Sequence, residues 1–281
     1  MSAGRASGWT PGRVLVHAFL VFFALATVYP ILQIVTISLR PGDRLYSTSL
    51  ALIPDHATLD AYRIMLLQKP FPRWMLNSFV VSLAVTVFGV SLASTAAYAF
   101  SRFRFPGWRL GLYSFLLTQM FPATMTMLPL YVLMTKLGLI NTYSGLVVAY
   151  TATALPFCVW TMRGYYDTIP VELEQAALID GCGPWTAFVR VTLPLAAPAL
   201  AITALFSFMA AWSEFLVARI VMNRMELYTL PLGLESLAGT FQTEWANYAA
   251  GSLMVCVPVM VLFVFLNRYL VEGLSLGGVK G

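Results

Sequence analysis

Six stretches of nearly unbroken apolar sequence divide this chain: Val14–Leu39, Leu76–Phe100, Leu110–Leu133, Tyr143–Met162, Leu195–Val221 and Tyr248–Leu270. A helix needs about 20 mostly apolar residues to cross a bilayer, and each stretch meets that length. Each is apolar all round, unlike the one-sided stripe of a soluble amphipathic helix. Lipid offers no partners to backbone N–H and C=O groups, so such segments are predicted to be helices. No alternating pattern points to a barrel. The expected fold class is all-α: a polytopic membrane protein with six transmembrane helices.

The polar positions between the stretches give the expected organisation. Residues 1–13 form an N-terminal tail, 14–39 a first helix, 40–72 an external loop, 73–270 a transmembrane core, and 271–281 a C-terminal tail. Inside the core, residues 163–194 form a polar loop. The first apolar run follows Arg5 and Arg13, as a signal peptide would. It is longer than a signal core and ends at no small-residue cleavage site, so it reads as a retained span. The 40–72 connection carries Pro41-Gly42, Pro54, Pro70 and Pro72, which predict loop with one short helix near Leu59–Leu67.

Proline and small residues mark the spans as more than anchors. Pro30, Pro122, Pro129, Pro156 and Pro258 each lie in or beside one. Each removes a helical hydrogen bond and invites a kink. Gly89, Ser91, Ala93, Ser94, Ala96 and Ala97 line the second span and permit close helix contact. Either ordinary packing or a moving transport bundle accounts for them.

Composition supports the pattern. The 281 residues are 59% hydrophobic and 10% charged, where soluble domains carry about 25% charge. Mean hydropathy is +0.77. The net charge of +5 is spread without any basic run, so it indicates span-flanking residues rather than nucleic acid. Six spans put both termini on one face. Total Lys and Arg are nearly balanced between the two faces, so short connections decide the orientation. Ser101–Arg109 holds three arginines, against one lysine in Lys136–Thr142. The positive-inside rule then favours cytoplasmic termini. Cys158, Cys182 and Cys256 have no metal-type spacing, and His17 lies far from His56. No cofactor or metal is expected on this chain.

One acidic residue, Glu214, falls well inside a span, in MAAWSEFLVAR. A carboxylate there should face protein or water, and Trp212 beside it has a ring of the kind that stacks on sugars. The pair are candidates for a substrate path. The competing expectation is that Glu214 lies near the outer interface and pairs with Arg219.

The most informative polar stretch is Pro170–Pro194. Pro170 suits the start of a helix, Glu172 and Glu174 suit its positive end, and Gly181, Gly183 and Pro184 end it near Asp180. A second short helix is expected over Trp185–Val189, and the next span begins at Leu193-Pro194. The first helix has apolar residues on most sides. A solvated helix does not look like that; one docking into a groove on another protein does. Ala176 and Ala177 would allow a close approach.

The spacing EQAALIDG, nine residues, then V-x-L-P resembles the cytoplasmic "EAA" loop of binding-protein-dependent ABC importer permeases. Glu174, Ala176, Ala177, Asp180, Gly181, Leu193 and Pro194 fit it. Val191 stands where isoleucine is usual, and Gln175 where the motif glutamate is usual. IPDHATLDAYRIM, FPRWMLNSFVVS, YAFSRFRFPG, LPLYVLMTKLGLINTYSGLVVAY and GLSLGGVKG extend the resemblance over about residues 10–281, to carbohydrate-importer permeases of the maltose-type G subunit family. The resemblance implies the type I importer permease fold. It implies a second homologous permease, two cytoplasmic ATPase subunits that bind ATP and Mg, an external solute-binding protein, and a sugar substrate. It implies that Gln175 and its neighbours dock on an ATPase, and that the tail with Gly277, Gly278 and Lys280 reaches the ATPase interface. It implies a prokaryotic inner membrane location. With Gln175 in the motif position, Glu174 or Asp180 would have to supply any charged contact. The chain has no GxxxxGK[ST] phosphate loop, so no enzymatic activity of its own is expected. An ion-coupled secondary transporter is the alternative. It would want several ionisable groups in the membrane, and Glu214 is nearly alone.

Overall fold

A computed structural model describes residues 11–42, 53–54, 56–239 and 243–277. These residues are helical with short connections, and among them there is no β-strand, only the isolated bridge Ala238–Thr243. The helices are α1 Pro11–Ser38, α2 Asp60–Leu67, α3 Phe71–Arg102, α4 Trp108–Gln119, α5 Ala123–Lys136, α6 Tyr143–Tyr166, α7 Val171–Ile179, α8 Pro184–Ala187, α9 Leu193–Leu195, α10 Ala197–Trp212, α11 Leu216–Val221, α12 Leu230–Glu235 and α13 Trp245–Gly277.

Four helices are long and apolar enough to span a membrane alone: α1, α3, α6 and the Trp245–Asn267 part of α13. The third and fifth expected spans are not continuous helices. The third is α4 and α5, bent by 105° at residues 120–122. Pro122 sits at this break and is itself extended, with ψ 131°, so it starts a new helix rather than continuing α4. By contrast Pro30, Pro129, Pro156 and Pro258 lie within helices that continue past them. The fifth expected span, Leu195–Val221, is broken twice. Its start bends by 78° between Pro184–Leu195 and α10, where Pro198 has no N–H to offer the Pro194 carbonyl. Its end stops at Trp212 and resumes as α11. There Ser213 turns its hydroxyl back to the Met209 carbonyl at 2.7 Å, and such side-chain bonds compete with the helix ladder. Counting each bent pair as one span gives six.

The chain forms two compact units, Met1–Lys69 with Leu237–Met254, and Pro70–Ser236 with Val255–Gly281. In the first, α1 exposes its apolar length and buries only Thr36 and Ser38 near its end. Ser38 and Tyr62 hydroxyls are hydrogen-bonded at 2.9 Å, and Ala61 of α2 packs on Ala246 and Ala250. Within the 40–72 connection the expected short helix is α2; residues 43–52 and Asp55 lie outside the described residues.

The second unit is built on α3 packed along α6, with α10 across both. Its small residues let the backbones approach: Ala93 and Ala97 are buried against Cys158, Val159 and Met162. At the other end Val81 and Val85 meet Leu146, Ala149 and Tyr150. Residues 222–230 are tied onto this pair by side-chain bonds. Asn77 donates to the Glu226 and Tyr228 carbonyls, both at 2.9 Å. It accepts from the Tyr143 hydroxyl at 2.7 Å. Gly233 lies flat on the Trp74 ring, where a Cβ would overlap the indole.

Candidate functional site: the segment between α6 and α10

α7 covers the EQAALI stretch and ends in a Schellman turn. Cys182 N–H donates to the Ala177 carbonyl at 3.0 Å and Gly181 N–H to the Leu178 carbonyl at 3.1 Å. This closure needs a left-handed residue, and Gly181 supplies it with φ 88°. The chain then turns through α8, started by Pro184, and one wide turn over Phe188–Thr192 into α9. Leu193 and Pro194 therefore belong to the short helix α9, separate from α10, which begins at Ala197.

The loop has two faces. The inner one is Ala177, Ala187, Phe188 and Glu174, all buried. Phe188 packs on the rings of Tyr98 and Tyr166, with centroids 4.5 and 6.4 Å apart. Glu174 is 6% exposed and uses both oxygens inside the chain. Arg102 Nε donates to Oε1 at 2.8 Å, and the Tyr98 hydroxyl donates to Oε2 at 2.9 Å. Arg102 spends its other donors nearby, on the Ser101 hydroxyl at 3.1 Å and on the Tyr166 and Ile169 carbonyls at 3.0 Å. The last two are carbonyls at and beyond the end of α6. One guanidinium thus joins α3, the end of α6 and α7, and Ser101 Oγ extends the network to Asp167 at 2.6 Å.

The outer face carries Gln175, Ala176, Asp180 and Gly181, with Leu173, Leu178, Ile179 and Trp185 beside them, all exposed. Ile179 is 86% exposed and Trp185 66%. These are apolar side chains on the connection between α6 and α10. This corrects one sequence expectation: Glu174 is not free for an outside partner, so Asp180 is the exposed carboxylate of the motif. Sequence reasoning also passed over Tyr98 and Arg102, which hold the loop. The signal was present in YAFSRFRFPG, but its arginines were read only for orientation.

The geometry is that of a loop fixed on one side and offered on the other. The family of binding-protein-dependent transport system inner membrane components matches residues 75–275, from α3 to near the end of α13. The chain belongs to that family. Relatives match over nearly the whole permease. The Escherichia coli maltose/maltodextrin transport system permease protein MalG is 37% identical over 286 residues, covering 95% of each chain. The Bacillus subtilis galactooligosaccharides transport system permease protein GanQ is 36% identical over 269 residues, covering 94% of each. A crystal structure of a bacterial ABC transporter involved in the import of the acidic polysaccharide alginate matches with a TM-score of 0.82 at 24% identity. It covers 94% of this permease and all of that chain. The fold is therefore the all-α type I importer permease fold.

The other candidate residues fall elsewhere. Trp212 is buried with its ring stacked on Phe208, centroids 5.4 Å apart, and its Nε1 donates to the Val255 carbonyl at 3.3 Å. It borders an apolar groove of about 690 Å³ with Phe79, Leu83 and Val261, which is no setting for a sugar's hydroxyls. Glu214 caps α11, accepting from Val217 N–H at 2.9 Å and Ala218 N–H at 3.2 Å. It makes no ion pair with Arg219; the pairs among the described residues are Lys69–Glu244, Arg102–Glu174 and Arg163–Asp167. Gly277 is the last residue of α13, while Gly278 and Lys280 lie outside the described residues. No group of His, Cys, Asp and Glu suited to a metal ion occurs among the described residues.

Proposed function

We propose that this permease is one of two homologous membrane subunits of an ATP-driven oligosaccharide importer, and that the α7–α9 segment couples it to a cytoplasmic ATPase. The observation that carries this reading is the outward display of Leu173, Leu178, Ile179 and Trp185 around Ala176 and Gly181, on a loop whose inner face is clamped by Arg102. Exposed apolar side chains on a rigid base suit a groove in a partner. Two ATPase subunits would hold ATP and Mg. An external solute-binding protein would deliver the substrate, and the tail at Gly277, Gly278 and Lys280 would reach the ATPases. Both termini and the coupling loop would then be cytoplasmic. The oligosaccharide class is supported by relatives named for maltose, maltodextrin and galactooligosaccharides. Glu214, at the break between α10 and α11, remains the substrate-path candidate, whereas Trp212 is withdrawn from it.

The test uses Gly181. A Cβ there meets nothing within 4 Å inside this chain, but φ is 88°. Gly181→Asn tolerates that backbone and Gly181→Trp adds bulk toward the docking side. In cells expressing the cognate ATPase and binding protein, Gly181→Trp should lower uptake at least tenfold with the protein still in the membrane, and Gly181→Asn should retain most uptake. Normal uptake with Gly181→Trp would remove the loop from the contact. Uptake that survives ATP depletion while an ion gradient is held would refute the ATP-driven reading.

A further inference from the structure

The α3–α4 connection and the last turns of α6 bring three guanidinium groups to one tryptophan. The guanidinium carbons of Arg104, Arg109 and Arg163 lie 4.5, 5.3 and 5.8 Å from the centre of the Trp108 ring. Arg163 lies 5.8 Å from the Trp160 ring as well. An aromatic face attracts cations but does not neutralise them. The carboxylate paired with the group is Asp167, 3.5 Å from Arg163 Nη2, and it also accepts from Ser101. Three positive charges thus converge with one negative charge beside them.

Hydrogen-bond donors are in surplus too. Arg163 Nε and Trp160 Nε1 are buried with no partner in the chain, which is uncommon for buried N–H groups. Arg104 makes only long 3.3 Å contacts to the Phe100 and Ser101 carbonyls. Planar guanidinium forks match the oxygens of a phosphate. A multiply charged, donor-rich cluster with one carboxylate therefore fits a phosphate-bearing anion.

The surroundings decide which anion. Arg109 sits in the first turn of α4, and Tyr113, Leu116, Leu117 and Met120 follow it at intervals that place them on the same helical face. All four are exposed. The face below the arginines is thus a continuous apolar strip along the 12 residues of α4, about 18 Å long. A free phosphate gains nothing from that strip, whereas a phospholipid uses both parts. We propose that Arg104, Arg109 and Arg163, with Trp108 and Trp160, form a site for the headgroup of an anionic phospholipid whose acyl chains lie along the exposed face of α4. α6 leads from Arg163 into α7, so the site stands on the same side as the coupling loop. Its assignment to the cytoplasmic leaflet rests on the proposed orientation; the binding itself does not.

The test is native mass spectrometry of the delipidated importer complex with added phosphatidylglycerol, phosphatidylcholine or inorganic phosphate. Phosphatidylglycerol should be retained in preference to phosphatidylcholine, and raising the salt should weaken that preference. A juxtamembrane basic residue contributes about fivefold in affinity for an anionic surface, so Arg109→Gln should lower phosphatidylglycerol retention about fivefold. Arg219→Gln, outside the cluster, should not change it. Equal retention of both lipids by the parent complex overturns the proposal, with no need of a variant. Displacement of the lipid by inorganic phosphate at equal concentration reassigns the site to free phosphate and overturns it too. The readout is binding rather than uptake, so its failure leaves the transport reading untouched.

Discussion

Removing one partner of the Arg102–Glu174 pair tests whether α7 is held to the bundle by this contact. Both side chains are 8% exposed. Breaking a buried pair from one side costs about 3–5 kcal/mol, because the remaining charge stays buried. In Glu174→Leu, Arg102 keeps its bonds to the Tyr166 and Ile169 carbonyls and to Ser101, so the expected loss is at the lower end, about 3 kcal/mol. The Tyr98 hydroxyl also loses its acceptor. In Arg102→Met the carboxylate is left with Tyr98, and the end of α6 loses its donors, so the loss should reach about 5 kcal/mol. Replacing a buried pair on both sides is often near neutral, so Arg102→Met with Glu174→Leu should be clearly more stable than the sum of the two single losses. An exchange, Arg102→Glu with Glu174→Arg, should not rescue. The guanidinium must reach three acceptors at the end of α3 and α6, and a carboxylate there would face carbonyls. The assay is a double-mutant cycle on the purified complex, by thermal or denaturant unfolding, with ATPase activity and uptake measured in parallel. A coupling energy below about 0.5 kcal/mol, the range of independent sites, refutes the clamp. So does full rescue by the exchange.

Two further outcomes follow from polar contacts at the opposite end of α3 and in the other unit. Asn77→Leu should destabilise the permease by about 2–3 kcal/mol, since it leaves the Glu226 and Tyr228 carbonyls and the Tyr143 hydroxyl unpaired; equal unfolding midpoints for variant and parent would refute this. Burial pushes the Glu244 carboxyl up, but hydrogen bonds from Lys69 and Asn247 and the Lys69 charge outweigh it and hold it below the usual range. With its folded value lowered, Glu244 stabilises the permease fully above the ordinary carboxylate pKa of about 4.3, and loses that contribution as pH falls through the lower folded value. Glu244→Gln should therefore show a smaller stability loss between about pH 5 and pH 3; the effect stays under about 1 kcal/mol because the pair is partly solvated. Parallel losses in variant and parent would refute it.

Much of the fold was legible because span formation is a local matter. Twenty apolar residues in lipid have one way to satisfy their backbone, so α1, α3, α6 and α13 lie where the pattern put them. The loop's motif was legible for the same reason: Pro170, Gly181 and Pro184 act on their own backbone. The breaks were harder. Five prolines looked alike in sequence, yet Pro122 coincides with a 105° bend while Pro129 lies inside a continuing helix. Whether a missing hydrogen bond bends a helix depends on what packs around it.

The sequence by itself determined where the apolar stretches lie, the class of the fold and the place of the EQAALIDG loop, because apolar length, helix-breaking residues and spacing are properties of contiguous chain. Tertiary structure decided what the polar residues do. Glu174 reads as a motif carboxylate until Arg102, 72 residues earlier, turns it inward. Trp212 reads as a sugar platform until Phe208 covers its face. Arg104 and Arg109 serve only for orientation in the sequence, and Arg163 joins them on Trp108 only when α6 brings it there. A side chain's partner is fixed by packing between distant segments, and no local pattern carries that information.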